Sequence, residues 1–370
     1  MKIVVTGGLG FIGGKLARML LGGGHEVRIL DSLTPQIHGE VPAVEVPEGA
    51  EFVRADVREL SERHDLLDGF DAVVHLAAET GTAQSMYRIR HYVDVNEGGT
   101  AALLEGLSRC QDRPRRIVLA SSRSVYGEGA YRNAEGRTVQ PTPRTREQLE
   151  RAEWEPVDAE GKVLTVMATP ENLPFAPGSV YAATKASQEL LLQSAAEALS
   201  LEPVILRFQN VYGEGQSLQN PYTGIISIFF NRVRQGLMLP IYEDGLETRD
   251  FVHVDDVAAA IVASLGGGVP AGSVCNVGSG VATSVITLAE KLAAAGGFTP
   301  EIKVTGQFRV GDIRHNFADI EAAKRLLGFS PRISLDEGLG RFCAWAATQP
   351  TYQDGLDKAT AELRAKGLGN

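Results

Sequence analysis

The chain has 370 residues, with 46 acidic against 36 basic side chains, a net charge of −10 and a pI near 5.3, which excludes a general electrostatic affinity for nucleic acid or anionic lipid. Its three cysteines, Cys110, Cys275 and Cys343, stand far apart with no CxxC and no Cys/His ligand spacing, so neither a disulfide framework nor a metal site is expected. With 44% hydrophobic residues, no apolar run of 18 residues and a first strand beginning at Lys2, the expectation is a cytoplasmic globular protein with no membrane partner.

In chain order, short β-branched runs alternate with amphipathic stretches, the pattern of a parallel sheet covered by helices on both faces, and the fold class expected is α/β. Strands are predicted at 2–6, 26–31, 51–54, 71–76, 116–121 and 203–207, with helices at 11–21, 91–108 and 179–199 between them. From 128 to 178 the periodicity disappears under Pro141, Pro143, Pro156, Pro170, Pro174 and Pro177. This stretch is expected to be a lid or an excursion flanking the site, with a surface insertion as the alternative. Further helices are predicted at 224–235, 255–265, 284–295, 320–327 and 335–347. The expected division is a cofactor domain over 1–206, its sheet completed by 248–280, and a smaller interleaved lobe from 207–247 and 281–370 that binds substrate. Leucine-rich stretches at 103–107 and 190–192 suit either the core or a partner subunit.

Strand 2–6 runs into Thr6-Gly7-Gly8-Leu9-Gly10-Phe11-Ile12-Gly13, which opens the first helix. Glycines at 7, 10 and 13 allow a tight turn and a close approach to a pyrophosphate, whose charge then meets the helix N-terminus. This is the Rossmann-like, doubly wound arrangement. The next strand ends in Asp31, placed to accept hydrogen bonds from an adenosine ribose and to oppose a 2′-phosphate, which favours NAD over NADP. Asp56, followed by Val57, either meets the adenine edge or caps a turn. Tyr181 and Lys185 stand at helical i,i+4 spacing, so the ammonium is expected to lower the phenol's pKa towards a usable base. Ser121-Ser122 ends a strand at the carboxyl edge of the sheet, where such folds hold their ligands.

These residues carry a family resemblance over nearly the whole chain. The glycine turn, Asp31, Asp56-Val57, His75-Leu76-Ala77-Ala78, Val95-Asn96-Glu97-Gly98-Gly99-Thr100, Ser121-Ser122-Arg123-Ser124-Val125-Tyr126-Gly127, Tyr181 with Lys185, 206–213 and 249–256 together resemble the extended short-chain dehydrogenase/reductases that act on nucleotide sugars. The resemblance implies that Gly7, Gly10, Phe11, Ile12, Gly13, Asp31, Asp56, Val57, Leu76, Ala77, Ala78 and Asn96 hold NAD. By the same resemblance Ser122, Tyr181 and Lys185 are the catalytic hydroxyl, base and lysine, while Asn210, Arg249 and Arg309 meet a substrate diphosphate. It further implies a homodimer built on paired helices.

In the family's dehydratases an Asp-Glu pair follows the catalytic hydroxyl residue, and in its decarboxylases a Glu lies nearby; this chain has Arg123 and Ser124 there. The expected reaction is therefore 4-epimerisation of a nucleotide-diphosphate sugar, which needs only reversible oxidation at C4. Pro141-Thr142-Pro143-Arg144, Trp154-Glu155-Pro156, Thr169-Pro170-Glu171, Gln84-Ser85-Met86-Tyr87 and Asn220-Pro221-Tyr222-Thr223-Gly224 are similar to epimerases that interconvert dTDP-L-rhamnose and its C4 epimer. Thr82, Gln84, Ser85 and Ser124 are candidates for the sugar pocket, with a plain surface loop as the alternative for the first three. His75 is expected to be structural, and Trp154 either closes over the ligand or pins the insertion. The rivals are a nucleotide-sugar 4-ketoreductase of the same fold and a non-enzymatic dinucleotide sensor, which would not need the Tyr181/Lys185 pair.

Overall fold

Strand β1 (Lys2–Thr6) is buried at every position after Lys2 because both of its faces are covered, as parallel sheets require. In the computed structural model, which describes residues 1–39, 45–220, 224–352, 354–356, 360–361 and 365, β1 pairs with β2 (Glu26–Asp31) on one side. The other strands are β3 (Glu51–Arg54), β4 (Ala72–His75), β5 (Arg116–Ser122), β6 (Glu202–Phe208) and β7 (Ser273–Val277). They form one wholly parallel sheet in the order β3-β2-β1-β4-β5-β6-β7. The order reverses beside β1, and the cleft at the carboxyl ends of β1 and β4 is the topological switch point.

The longer helices are α1 (Phe11–Gly22), α2 (Gly99–Arg109), α3 (Val180–Ala196), α4 (Ile225–Arg234), α5 (Val254–Ser264), α6 (Val285–Gly296) and α7 (Leu335–Ala347). Side-chain alternation along β1 divides them between two layers. Ile3 and Val5 share a core with Leu16, Leu20, Val257 and Ile261 of α1 and α5. Val4 faces Leu103, Leu107 and Leu192 of α2 and α3. Each such fully buried branched side chain contributes about 2 kcal/mol of burial. A third apolar cluster, with Phe230, Leu288 and Phe342, joins α4, α6 and α7 to the paired strands Leu239–Ile241 and Ile302–Val304.

The strands and helices lie where the sequence periodicity places them, within a few residues at each end. The helix expected over 91–108 carries a π turn at Val93–Gly98. The interior side chain there is Asn96, which is fully buried. Pro221, Tyr222 and Thr223 of the subfamily motif lie outside the described residues.

The 128–178 stretch departs from expectation. It folds into a small antiparallel sheet of Tyr131–Arg132, Thr138–Val139 and Thr165–Val166, with a helical turn at Arg146–Glu150. Two buried arginines fasten it. Arg144 Nη1 pairs with Glu243 at 2.8 Å and donates to the Trp154 carbonyl at 3.0 Å. Arg314, fully buried, pairs with Glu155 at 2.6 Å, Asp244 at 2.7 Å and Glu243 at 3.1 Å. Lifting this segment would separate buried charges, at a cost of several kcal/mol, so it is a brace and not a lid. Trp154 packs at a tilt on Phe308, ring centroids 6.4 Å apart, and thus pins the insertion.

Candidate active site

A cleft of about 1220 Å³ opens along the carboxyl edge of the sheet, from the Thr6–Gly13 turn past Ser122 and Tyr181 to Asn210 and Gln216. None of its described lining residues comes from 128–178.

At one end the glycine turn has the geometry its composition implied. Gly7 has φ +67°, and a Cβ there would stand 2.8 Å from the Ala77 amide nitrogen. At Gly13 a Cβ would meet the Gly7 carbonyl oxygen at 2.4 Å, so only glycine lets α1 pack onto the turn. Gly10 caps α1 without a side-chain hydrogen bond, and the first turn holds no acidic residue, which leaves the amides of Phe11 and Ile12 and the positive end of the helix dipole for an anion.

Asp31 ends β2 in the same cleft and accepts hydrogen bonds from Leu9 N at 3.1 Å and Leu33 N at 2.9 Å. Its burial opposes ionisation, but His38, whose Nε2 lies 3.5 Å from Oδ1, and these amides hold the carboxyl below its usual range. An ionised acceptor on that rim suits a ribose diol and repels a 2′-phosphate. Sequence reasoning missed His38, because only the loop after β2 folds it back onto Asp31. Asp56 lines the cleft too, and its carboxylate caps the next turn and pairs with Arg58 at 2.6 Å, which realises the capping alternative; Val57, Leu76, Ala77 and Ala78 also line the wall.

Asn96 stands behind the cleft wall. Its amide accepts from Glu79 N at 2.8 Å and donates to the Glu79 carbonyl at 3.1 Å and to Thr184 Oγ1 at 2.9 Å, so it supports the wall from behind and is not among the described lining residues. Gln84 and Ser85 are likewise off the lining. Gln84 bonds Gln36 and Tyr92, while Ser85 Oγ accepts from Tyr181 N at 3.0 Å and so seats the start of α3; Thr82 alone of the three lines the cleft. Short polar side chains beside a strand end suit either role, and only packing distinguishes them.

At the centre, Ser179 caps α3, its Oγ accepting from Ala182 N, and this sets Tyr181 and Lys185 one turn apart on the cleft side. The Ser122 hydroxyl bears on the Tyr181 phenol and favours its ionised form. Lys185 Nζ donates to the Ala120 carbonyl at 2.9 Å. Burial pushes the ammonium down to about 8, against the opposing influence of Glu189. The expected depression of the phenol by Lys185 is not seen: burial raises Tyr181 above its ordinary value, and the compensating influences are Ser122 and Arg123. His75, flanked by Thr6 at 2.8 Å and Thr100 at 3.1 Å, is driven down to about 3 by burial and the Lys185 charge, so it is a neutral structural residue.

Towards the far end, Ser124 and Asn210 line the cleft, and Asn210 Oδ1 accepts from Arg123 Nε at 2.9 Å. The two arginines expected to grip a diphosphate are not among its described lining residues. Arg249 donates to the carbonyls of Thr248, Ile313 and Arg314 and pairs with Asp312 at 3.2 Å, because its strand Thr248–Arg249 is wedged beside His315–Asn316. Arg309 lies over the Tyr242 ring, 4.8 Å from its centroid. Sequence reasoning also passed over Gln209, a buried amide of the cleft wall.

Residues 3–150 and 161–278 match the NAD dependent epimerase/dehydratase family. The chain belongs to that family. It is 43% identical over 351 residues to the dTDP-L-rhamnose 4-epimerase of Burkholderia thailandensis, covering 94% of this chain and 95% of that one. It is 31% identical over 375 residues to a dTDP-glucose 4,6-dehydratase of Streptomyces niveus, covering 97% and 98%. The fold matches the UDP-glucuronic acid 4-epimerase of Bacillus cereus, solved with UDP-glucuronic acid and NAD, with a TM-score of 0.75 and 27% identity, covering 94% of this chain and 99% of that one. The cofactor of this family member is NAD, and the residues present fit it. The tight Gly7–Gly13 turn, the uncapped N-terminus of α1 and the ionised Asp31 suit its pyrophosphate and its adenosine ribose.

Proposed function

We propose that this chain is an NAD-dependent nucleotide-sugar 4-epimerase whose substrate is dTDP-L-rhamnose or its C4 epimer. The observation that carries the reading is the stretch after Ser122. Arg123 and Ser124 occupy the place where the resemblance puts an elimination acid, so the site has a hydroxyl and a phenol for C4 and no carboxylate in that stretch for removing water. The 43% identity over almost the full length of a dTDP-L-rhamnose 4-epimerase supports the choice of sugar.

NAD, when bound along the Gly7–Gly13 turn and Asp31, supplies a hydride acceptor that later returns what it took, so net redox is zero. Tyr181 takes the proton of the C4 hydroxyl, and Ser122 beside it shares the proton and steadies the oxygen as it becomes a carbonyl. Since burial holds the phenol above its ordinary value, it must rely on cationic neighbours to ionise. Lys185, with its proton held loosely and its Nζ on the Ala120 carbonyl, completes the proton path behind Tyr181. The keto sugar then presents its other face, and Tyr181 returns the proton.

Asn210 is the first grip on the diphosphate. Arg249 joins it by exchanging the Asp312 carboxylate for phosphate, and Arg309 by leaving Tyr242. In this reading 1–206 with 248–280 carry the cofactor, and 207–247 with 281–370 carry the nucleotide sugar. The enzyme works as a homodimer through the surface of α2 and α3, where Leu190 is half exposed.

The test is incubation with dTDP-, UDP- and GDP-sugars while following C4 configuration by NMR and nicotinamide absorbance together. Inversion of dTDP-L-rhamnose at C4 without net NADH is expected, and Tyr181→Phe should lose at least 100-fold in turnover while still binding NAD. Stoichiometric consumption of reduced cofactor would establish a ketoreductase instead, and a product lighter by water would establish a dehydratase.

A further inference from the structure

Four polar atoms of the cleft wall next to the Ser122–Tyr181 pair have no hydrogen-bond partner: Arg123 Nη1, Ser124 Oγ, and both Oε1 and Nε2 of Gln209. Their juxtaposition follows from register. Ser122 of β5 pairs with Phe208 of β6, so the next residues, Arg123 and Gln209, leave neighbouring strand ends side by side. Asn210 engages Arg123 through Nε and leaves Nη1 unused. The carboxylates that bear on Arg123 are committed elsewhere. Asp250 accepts from Ser279 N, Ser279 Oγ, Gly280 N and Ala318 N, and Asp312 pairs with Arg249.

Each orphaned buried polar atom costs free energy, and four in one wall make an unusual concentration. That cost is recovered if a ligand supplies the partners. The set comprises a guanidinium donor, an amide with one donor group and one acceptor, and a hydroxyl, which suits a group that both donates and accepts. A carboxylate, having no donor, would leave Gln209 Oε1 unpaired and facing negative charge. A sugar hydroxyl meets all three. Of the two ring carbons that adjoin C4 in a hexose, only C3 bears a hydroxyl directly.

We propose that Arg123, with Gln209 and Ser124, forms a subsite for the C3 hydroxyl of the sugar and thereby selects and orients the ring for reaction at C4. This rests on the 4-epimerase reading. In a sequence that otherwise places small residues around Ser122, the long Arg123 side chain thus serves recognition, and its guanidinium also favours the ionised form of the adjoining Tyr181.

The proposal is tested by a cycle in which one partner is the side chain and the other the substrate hydroxyl. In a Tyr181→Phe background, where no turnover intervenes, dissociation constants are measured by calorimetry for dTDP-L-rhamnose and its 3-deoxy analogue, each with Arg123 present and with Arg123→Met. The expected result is that Arg123→Met weakens the parent sugar by about 10- to 100-fold and hardly affects the 3-deoxy analogue, the range set by a hydrogen bond from a charged donor. Equal weakening of both sugars, or of neither, would overturn it. NAD affinity and melting temperature monitor folding, and Gln209→Leu, expected to show the same selectivity more weakly, replaces Arg123→Met if that variant does not fold. Because the cycle reads binding alone, its failure is separable from a failure of the wild-type chain to invert C4.

Discussion

Glu247 shows how a single buried group leaves a measurable trace. It is 7% exposed, its Oε2 has no partner, and burial, reinforced by Glu243 and Asp312, pushes its carboxyl up to about 7 against the pull of its own backbone amide and Arg249. A carboxyl whose folded pKa lies above its unfolded value favours the fold when protonated. Its contribution is complete below about pH 4.5 and is lost as pH rises to about 7. Glu247→Gln is therefore expected to match the wild type at pH 4 and to exceed it in stability by about 3 kcal/mol at pH 8. Urea denaturation at the two pH values measures this. A variant less stable than wild type at pH 8 would mean that the ionised carboxylate is used. At the same scale, Tyr181 and Lys185 stand in the relation their spacing implied, whereas the partner of Lys185 was not legible, since its Nζ bonds the Ala120 carbonyl across to β5.

Among elements, the 128–178 brace was the least legible. Its strands are two residues long, too short to show alternation, and its stability comes from Arg144 and Arg314 meeting Glu128, Glu155, Glu243 and Asp244 across large sequence separations. Arg314→Met would strip the partly exposed Glu155 and Asp244 of their cation and leave the buried Glu243 to Arg144 alone, a loss of about 3 kcal/mol. Because the brace is off the cleft lining, that variant should melt at a lower temperature yet bind NAD with unchanged affinity while it remains folded. Thermal denaturation and a fluorescence titration together check this. Loss of NAD binding in the folded variant would show that the brace shapes the cleft.

For the whole molecule, the cleft draws on the carboxyl ends of β1, β2, β4, β5 and β6, so the bound cofactor rests on most of the sheet. NAD at 100 times its dissociation constant is expected to stabilise the fold by about 2.7 kcal/mol through mass action. Gly13→Ala, which forces a Cβ to 2.4 Å from the Gly7 carbonyl oxygen, should abolish the rise in melting temperature that NAD produces. A rise equal to that of the wild type would show that α1 can shift to accommodate the methyl group. Among the described residues, no helix is long and apolar enough to cross a membrane.

Sequence by itself determined the parallel α/β sheet, the glycine turn, Asp31 and the Tyr181/Lys185 pair, because each is written in local periodicity or in spacings shorter than a helical turn or two. Ser122 was legible for a related reason, since strand ends at the carboxyl edge of such a sheet converge on one cleft whatever the loops do. Tertiary structure alone decided which polar residues face that cleft and which hold it up. Asn96, Gln84 and Ser85 turned out to support its wall, Arg249 and Arg309 to be engaged elsewhere, and Arg123 with Gln209 to share the wall beside Tyr181. A polar side chain's role depends on which partner reaches it first, and for these residues the partners come from as far as 96 positions away, as between Ser85 and Tyr181. The pKa of Tyr181 belongs to the same class, because burial is a property of the assembled fold and outweighs the influence of any neighbour that helical spacing can supply.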